Sequence, residues 1–163
     1  MEKVSAFLRR KDIVFSPKRY FIDAMSAMAQ GLFCTLLVGT ILNTLGTQLH
    51  IGFLTDIIVT LGKGDGAVRY TIGGLCSAMV GPGMAVAIGQ ALNAPPMVLF
   101  SLIPVGFATN AMGGAGGPLA VLFVAIIAAE IGKAVSKETK IDILVTPIVT
   151  ILSGIGAAAL IAA

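Results

Sequence analysis

The fold is decided by one long uncharged stretch, YTIGGLCSAMVGPGMAVAIGQALNAPPMVLFSLIPVGFATNAMGGAGGPLAVLFVAIIAA (residues 70–129), which contains no Asp, Glu, Lys, Arg or His. About 20 apolar residues are enough for a helix to cross the hydrocarbon of a bilayer, so this stretch alone can cross two or three times. Across the whole chain only 12% of the residues are charged, against about 25% in soluble domains. The composition therefore predicts an integral membrane protein.

The predicted fold is all-α and polytopic, with about four to five spanning helices in one transmembrane domain, residues 20–163. Long spans are predicted at residues 20–46, 70–92, 118–134 and 141–163, the second interrupted by the GPG of residues 81–83. Proline removes a backbone donor, and non-helical backbone survives at membrane depth only where protein or water satisfies it. Within the first span, Ala27 and Gly31 have the small-residue spacing that lets helices approach closely.

The segment before the first span, residues 1–19, mixes apolar residues with six Lys or Arg residues. This pattern favours a short amphipathic helix in the headgroup region, with a solvated basic tail as the alternative. No cleavage site follows, so the segment is not expected to be a removable signal. By the positive-inside rule its charges predict a cytoplasmic N-terminus in the cell membrane.

The topology follows from a second basic segment, KAVSKETK (133–140), whose lysines Lys133, Lys137 and Lys140 predict a cytoplasmic loop. An even number of crossings must then separate it from the N-terminus. One of the two shorter apolar segments, 51–62 or 97–110, therefore has to cross. Since 51–62 contains Asp56 and is only twelve residues long, we expect it to be a half-helix, re-entrant or interfacial.

A glycine-rich segment, GFATNAMGGAGGPLAV (106–121), lies between two apolar runs. Helix breaks at membrane depth expose backbone amides that bind polar solutes in transporters. Five of its residues are therefore candidate solute ligands: Asn110, Gly113, Gly114, Gly116 and Gly117. An outer loop whose glycines aid helix packing is the equally weighted alternative.

Three more candidate ligands follow: Glu130, Asp142 and Thr146. Glu130 and Lys133 are three residues apart on a helix, so an ion pair at the membrane edge is the simpler interpretation of Glu130. Asp142 and Thr146 share a helix face just before Pro147, which is expected to bend or break that helix and free a carbonyl.

Several function classes are disfavoured. The sequence has no phosphate-binding GxxxxGK[ST] loop, and a convincing catalytic triad or zinc site is hard to build around the single histidine, His50. Cys34 and Cys76 lie in apolar spans and are expected to be buried thiols. No cofactor, metal or nucleic-acid partner is predicted, and the chain is not expected to be an enzyme.

Two segments resemble the phosphotransferase-system EIIC-like membrane proteins, including the perfringolysin regulator type. They are RRKDIVFSPKRYFIDAMSAMAQGLF (9–33) and GFATNAMGGAGGPLAVLFVAIIAAEIGKAVSKETKIDILVTPIVTILSG (106–154). The resemblance implies translocation of a sugar or another small polar solute, with cytoplasmic phosphotransferase components as partners. It also implies a longer protein, so the chain is expected to pair as a homodimer or with a second half.

Three hypotheses follow from the sequence. The first is a transporter whose route is lined by the eight candidate ligands. The second is a membrane-embedded regulator that acts through a protein partner and depends on residues 1–19. The third is a structural half whose polar residues pair across a homodimer.

Overall fold

The computed structural model describes residues 2–13, 16–136 and 141–162. Its helices of four or more residues are α1 (Glu2–Arg10), α2 (Lys18–Gln48), α3 (Gly52–Thr55), α4 (Ile72–Ala78), α5 (Val80–Ala91), α6 (Pro96–Met112), α7 (Gly117–Val135) and α8 (Asp142–Ala162). A small antiparallel hairpin joins β1 (Val59–Leu61) to β2 (Val68–Tyr70). The predicted predominance of helix is confirmed.

Three helical segments are long and apolar enough to cross a membrane, namely Lys18–Gln48, Gly114–Val135 and Asp142–Ala162. The count rises to four if α4 and α5 form one broken span, and α6 is a shorter apolar helix of 17 residues. Many large apolar side chains on these helices are exposed, Phe100, Phe123 and Leu152 among them. Such a surface suits a hydrocarbon surrounding rather than water.

The chain divides into two compact units. The first, here called the bundle unit, contains the described residues of Met1–Gly31 and Gly81–Ala163; the second, the hairpin unit, is Leu32–Val80. The division falls within α2, whose first part belongs to the bundle unit.

Successive helices of the bundle unit run antiparallel. Gly81 and Gly89 of α5 face Gly106 and Leu102 of α6 respectively. Further along, the α7 residue Gly132 lies between Val98 of α6 and Thr150 of α8. The fully buried core side chains come from these same helices, including Met84, Ile88, Leu102, Val105 and Val124.

Glycines set the helix spacing in the bundle unit. A Cβ atom on Gly31 would lie 2.6 Å from the Gly83 carbonyl oxygen, so α2 and α5 touch backbone to backbone. The close approach predicted at Gly31 is confirmed, and Ala27, one turn earlier, is buried. Gly81 and Gly106 make the equivalent contact between α5 and α6.

The N-terminal residues form the predicted helix, α1. Its apolar residues Phe7 and Leu8 line a groove with Ile126 and Ile127 of α7, while Arg9 and Arg10 are exposed. This division gives α1 one apolar and one basic side. Its predicted place in the headgroup region stays a prediction.

In the hairpin unit, α2 packs against α4. A Cβ on Gly39 would lie 2.8 Å from the Gly73 carbonyl oxygen. Leu54 and Thr55, at the end of α3, pack against Gly46 in the last turns of α2. The β-hairpin of this unit lies in the chain between α3 and α4.

Two helix breaks differ from the sequence prediction. The break in the second span lies at Met79 rather than at residues 81–83, because Pro82 falls in the first turn of α5, where no backbone donor is needed. The sequence predicted that Pro147 bends or breaks the last helix. A break is wrong, since α8 continues through Pro147. Proline at this position leaves the Ile143 carbonyl without its usual helical donor.

Two segments also differ from prediction. Residues 51–62 do not form an apolar half-helix; they contain the four-residue α3 and then strand β1, which pairs with β2 across the glycine turn. Lys133 does not lie in a polar loop, because α7 extends to Val135. Lys137 and Lys140 of that predicted loop are outside the described residues.

Candidate functional site

The glycine-rich segment forms the turn of a helix hairpin. Helix α6 ends at Met112, a single turn of 3₁₀-helix covers Gly114–Gly116, and α7 begins at Gly117. A Cβ on Gly117 would lie 2.7 Å from the Asn110 side-chain oxygen, and one on Gly113 would lie 2.8 Å from the Gly117 Cα. These contacts favour the turn-and-packing alternative for this segment.

Asn110 itself is wedged between two glycines. The Cβ atom of Asn110 lies 2.6 Å from the position that a Cβ on Gly81 would occupy. The side-chain oxygen of Asn110 faces Gly117. By contrast, Gly114 and Gly116 face open space, and the positive φ of Gly114, 51°, suits glycine. Asn110 thus packs between the start of α5 and the turn that connects α6 to α7.

Glu130 pairs with Lys133, as its simpler interpretation predicted. The Lys133 ammonium lies 3.0 Å from Glu130 Oε2, donates to Glu130 Oε1 at 3.0 Å, and is only 2% exposed. It also donates to the carbonyl oxygens of Asp12 at 3.0 Å and Leu92 at 2.9 Å. All three ammonium protons therefore have acceptors within the described residues.

A second cation, Arg19, binds the same two carbonyls. It donates to the Asp12 carbonyl at 3.1 Å, the Leu92 carbonyl at 2.8 Å and Asp12 Oδ2 at 2.6 Å. We call Asp12, Arg19, Leu92, Asn93, Glu130 and Lys133 the helix-end cluster. The two cations therefore donate hydrogen bonds at the C-terminal ends of α1 and α5, where the helix dipoles favour positive charge.

Asp12 and Asn93 end these helices in the same way. Both have positive φ angles, 53° and 55°, and the next amide in each case bonds five residues back, from Ile13 to Leu8 and from Ala94 to Gly89. Asparagine and aspartate tolerate this left-handed conformation best after glycine. The Asn93 amide donates to Asp12 Oδ2 at 3.0 Å, which ties the two helix ends together.

The electrostatics of Asp12 follow from these contacts. The hydrogen bond from Arg19, and secondarily that from Asn93, lowers the pKa of the Asp12 carboxyl below its usual value. A cavity of about 500 Å³ opens beside the cluster. Its lining is Arg10, Lys11, Asp12, Asn93, Pro95, Lys133 and Ser136.

Asp142 and Thr146 meet on α8 as their spacing predicted. The Thr146 hydroxyl donates to Asp142 Oδ1 at 2.5 Å, and Thr146 is fully buried. The Thr150 hydroxyl, one turn later, donates to the Thr146 carbonyl at 2.8 Å. This line of hydroxyls packs against α7 at Gly132.

The eight predicted ligands do not form a single site. Glu130 comes thirteen residues after Gly117 on α7, which separates the two by about 20 Å. Because α7 and α8 are antiparallel, Asp142 and Thr146 lie at the Glu130 end of the bundle unit. Asn110, Gly113, Gly114, Gly116 and Gly117 lie at the opposite end.

Sequence reasoning missed a polar groove between α2 and α5. The groove has a volume of about 360 Å³, within the range of small-molecule sites. Four polar side chains line it, Asp23, Ser26, Gln30 and Gln90, together with Ala27, Ala87 and Ala91. None of the four polar side chains has a hydrogen-bond or ion-pair partner among the described residues. We call this feature the polar groove.

Two contacts between α2 and the α5 region flank the polar groove. Gly31 meets Gly83 at one end, and Arg19 meets the Leu92 carbonyl at the other. Asp23 ends a π-helical turn, Lys18–Asp23, and such turns are frequent at functional sites. The spacing of the polar residues 23, 26 and 30 indicates that they share one face of a helix. The contribution of Gln90 could not be predicted, because it depends on α5 packing against that face.

Metal binding finds no support in the described part of the chain, where no group of three or more His, Cys, Asp or Glu residues lies close together. Cys34 is exposed and Cys76 half-buried, and both are free thiols. The prediction that Cys34 is buried is therefore wrong for the chain by itself.

Comparison with known protein families gives one match. Residues 22–163 match the family described as Phosphotransferase system, EIIC. No curated protein and no solved structure matches the chain significantly. The family match begins within α2 at residue 22, extends through α8 and includes the polar groove.

Proposed function

Because the chain belongs to the phosphotransferase system EIIC family, we propose that it translocates a sugar or another small polar solute through a site at the polar groove. EIIC domains are the translocating components of phosphotransferase systems and work with other components of those systems. The chain is accordingly a transporter-like, multi-pass membrane protein.

The polar groove is the single observation that carries this proposal. A carboxylate, a hydroxyl and two carboxamides supply both donors and acceptors for the hydroxyl groups of a polar solute. Polar side chains without partners are costly within a membrane and characteristically mark solute pathways. The three alanines leave the space that a solute needs, and the groove is built on two helices, which hold their side chains more precisely than loops.

The eight predicted ligands are proposed to lie at the two ends of the solute route. Glu130, Asp142 and Thr146 lie at the end of the bundle unit that also carries Arg19 and Lys133. We assign this end to the cytoplasm, because the basic residues of α1 adjoin it. Asn110 and the glycines at residues 113, 114, 116 and 117 then form the outer end.

Partners follow from the family and from the open side of the groove. Asp23, Ser26 and Gln90 are exposed in the isolated chain, so a second subunit or second half is proposed to cover them in the bilayer. A homodimer satisfies this requirement, and cytoplasmic phosphotransferase components supply the phosphoryl group. The chain itself is not proposed to be catalytic.

The test is solute-induced stabilisation of the purified protein in detergent. A panel of hexoses, pentoses, sugar alcohols, disaccharides and amino acids is screened for a rise in unfolding temperature. A ligand at 100 times its dissociation constant stabilises a protein by about 2.7 kcal/mol, which corresponds to several degrees. We expect at least one polar solute to produce such a rise, and Asp23→Asn and Gln90→Leu to abolish it.

Gln48→Leu is the matched control, because Gln48 is an exposed glutamine at the far end of α2. It should keep the full solute response. A response that survives both groove substitutions would move the site elsewhere. No response to any solute would oppose transport and favour the alternative of a membrane-embedded regulator.

A further inference from the structure

The β-hairpin of the hairpin unit has two chemically different faces. Residues opposite each other in an antiparallel pair share a face. Val59 pairs with Tyr70 and Leu61 with Val68, whereas Thr60 pairs with Arg69. One face is therefore entirely apolar and aromatic, and the other carries a hydroxyl and a guanidinium.

The end of the apolar face nearest the turn is not covered by the described part of the chain, whereas the Val59–Tyr70 pair is half-buried. Leu61 and Val68 are each about half exposed, at 52% and 50%. The neighbouring Ile57 and Ile58 are exposed as well. A two-stranded hairpin is marginally stable in water unless its apolar face packs on something, so this face requires an apolar surface.

The hairpin is held close to the end of a membrane-spanning helix. Leu54 and Thr55 pack against Gly46 in the last turns of α2, and Val59 follows Thr55 by four residues, a reach of about 13 Å. On the return side, Thr71 caps the start of α4, where Gly73 packs against Gly39. Both connections hold the hairpin near the C-terminal half of α2.

A row of exposed apolar residues runs along the C-terminal half of α2 towards its end. Leu37, Ile41 and Leu45 are spaced four residues apart and are all exposed, and Leu49 and Phe53 continue the apolar surface beyond the helix end. A stripe of this kind on a membrane helix faces lipid. The hairpin is thus connected to a helix end whose exposed surface is apolar.

The charges fit the same partner. Lys63 stands at the turn and Arg69 on the polar face, both exposed. Basic side chains at this depth reach the phosphates of lipid headgroups, and tyrosine is enriched at membrane interfaces. We propose that the hairpin lies in the membrane interface, with Val59, Leu61, Val68 and Tyr70 in the upper acyl chains and Lys63 and Arg69 among the headgroup phosphates.

The chain contains no tryptophan, so a single introduced tryptophan reports one position. Leu61→Trp places the probe on the apolar face, and Thr60→Trp places it on the opposite face of the same strand. The full-length protein is reconstituted in phosphatidylcholine and phosphatidylglycerol vesicles, with and without lipids brominated near the headgroup end of the acyl chain. We expect Leu61→Trp to emit at shorter wavelength and to be quenched several-fold more strongly than Thr60→Trp.

Val68→Trp, directly across the hairpin from Leu61, should behave like Leu61→Trp and guards against a local effect of one substitution. Equal and weak quenching at positions 60 and 61 would overturn the proposal and leave the hairpin in water. A short-wavelength emission at Leu61→Trp without quenching by brominated lipid would also overturn it, because protein, such as a second copy of the chain, would then cover the face.

Discussion

Lys133 is the most constrained charged side chain of the helix-end cluster. Its ammonium is buried, pairs with Glu130 and accounts for the carbonyls that end α1 and α5. Breaking a buried pair costs far more than removing both partners, because the remaining charge and carbonyls lose their compensation. Lys133 is thus predicted to stabilise the end of the bundle unit at which α1 and α5 terminate.

Lys133→Met should lower the free energy of unfolding by about 3–5 kcal/mol, since it leaves Glu130 and two helix-end carbonyls without this donor. Urea or guanidinium unfolding in detergent, followed by circular dichroism, measures the change. The double variant Lys133→Met, Glu130→Gln should recover part of the loss. Equal stability of Lys133→Met and the wild type would show that the pair is not buried in solution.

Asp12 gives the cluster a pH dependence of known sign. Its pKa is lower in the folded chain than in the unfolded chain, so its contribution is present above the unfolded value and disappears as the pH falls through the folded value. The side chain is about half exposed, so we expect a contribution of about 1 kcal/mol or less.

Asp12→Asn should therefore reduce the unfolding free energy slightly at pH 7, and the reduction should shrink as the pH is lowered towards 3. Stability at the two pH values measures the difference. Asp56→Asn is the control, because Asp56 is exposed and forms no ion pair with a described residue. An Asp12 effect that grows on acidification would contradict the assigned contacts.

Local spacing was enough to predict the contacts within one helix, such as Glu130 with Lys133 and Asp142 with Thr146. It was not enough to predict that Arg19 binds the Leu92 carbonyl or that Gln30 and Gln90 line one groove, since both depend on which helices pack together. For the same reason the packing of Asn110 could not be predicted, because its two glycine neighbours, Gly81 and Gly117, come from different helices; its role as a ligand stays a prediction.

At the scale of elements, glycines determine how closely the helices pack. A Cβ on Gly106 would lie 2.7 Å from the Ala85 side chain and 2.8 Å from the Gly81 carbonyl carbon. Gly156 of α8 has nothing within 4 Å of the same position. The two residues form a matched pair, because both lie inside apolar helices.

Gly106→Ala should destabilise the protein by about 1–3 kcal/mol, because α5 and α6 must move apart. Gly156→Ala should be neutral or stabilising by up to about 1 kcal/mol, since alanine favours the helix. Thermal unfolding in detergent compares the two variants. Similar effects at both positions would mean that α5 and α6 do not make the close contact.

Hydrophobic periodicity and composition predicted the long helices well, and α7 and α8 agree with their predicted spans to within one or two residues. The hairpin was missed because residues 51–62 were assigned by apolar content and not by strand pairing. Glycines at 62, 64 and 66 and the matching VTL and VRY segments were the signal for a turn between strands.

For the whole molecule, α2, α4 with α5, α6 and α7 supply four crossings before residue 136 if α6 spans the membrane. Its 17 residues are at the short limit for a spanning helix. The N-terminus and the start of α8 then share the cytoplasmic side, as the basic residues predict.

Cysteine labelling tests this topology. In a chain with Cys34 and Cys76 replaced by alanine, Ala115→Cys should react with an impermeant maleimide in intact cells. Ile141→Cys should react only after permeabilisation. Both positions are exposed, so accessibility within the protein does not limit the reaction. Labelling of both from the same side would mean that α7 does not cross.

The central claim, that a polar solute is translocated at the polar groove, is tested most directly by uptake. A labelled solute chosen from the stabilisation screen is supplied to cells that contain phosphotransferase phosphoryl donors, with wild type, Gln90→Leu or Gln48→Leu expressed at equal levels. The account predicts uptake above vector for wild type and Gln48→Leu, and at least about a tenfold loss for Gln90→Leu, equivalent to 1.4 kcal/mol. Uptake by Gln90→Leu equal to wild type, or no uptake by wild type, would contradict it.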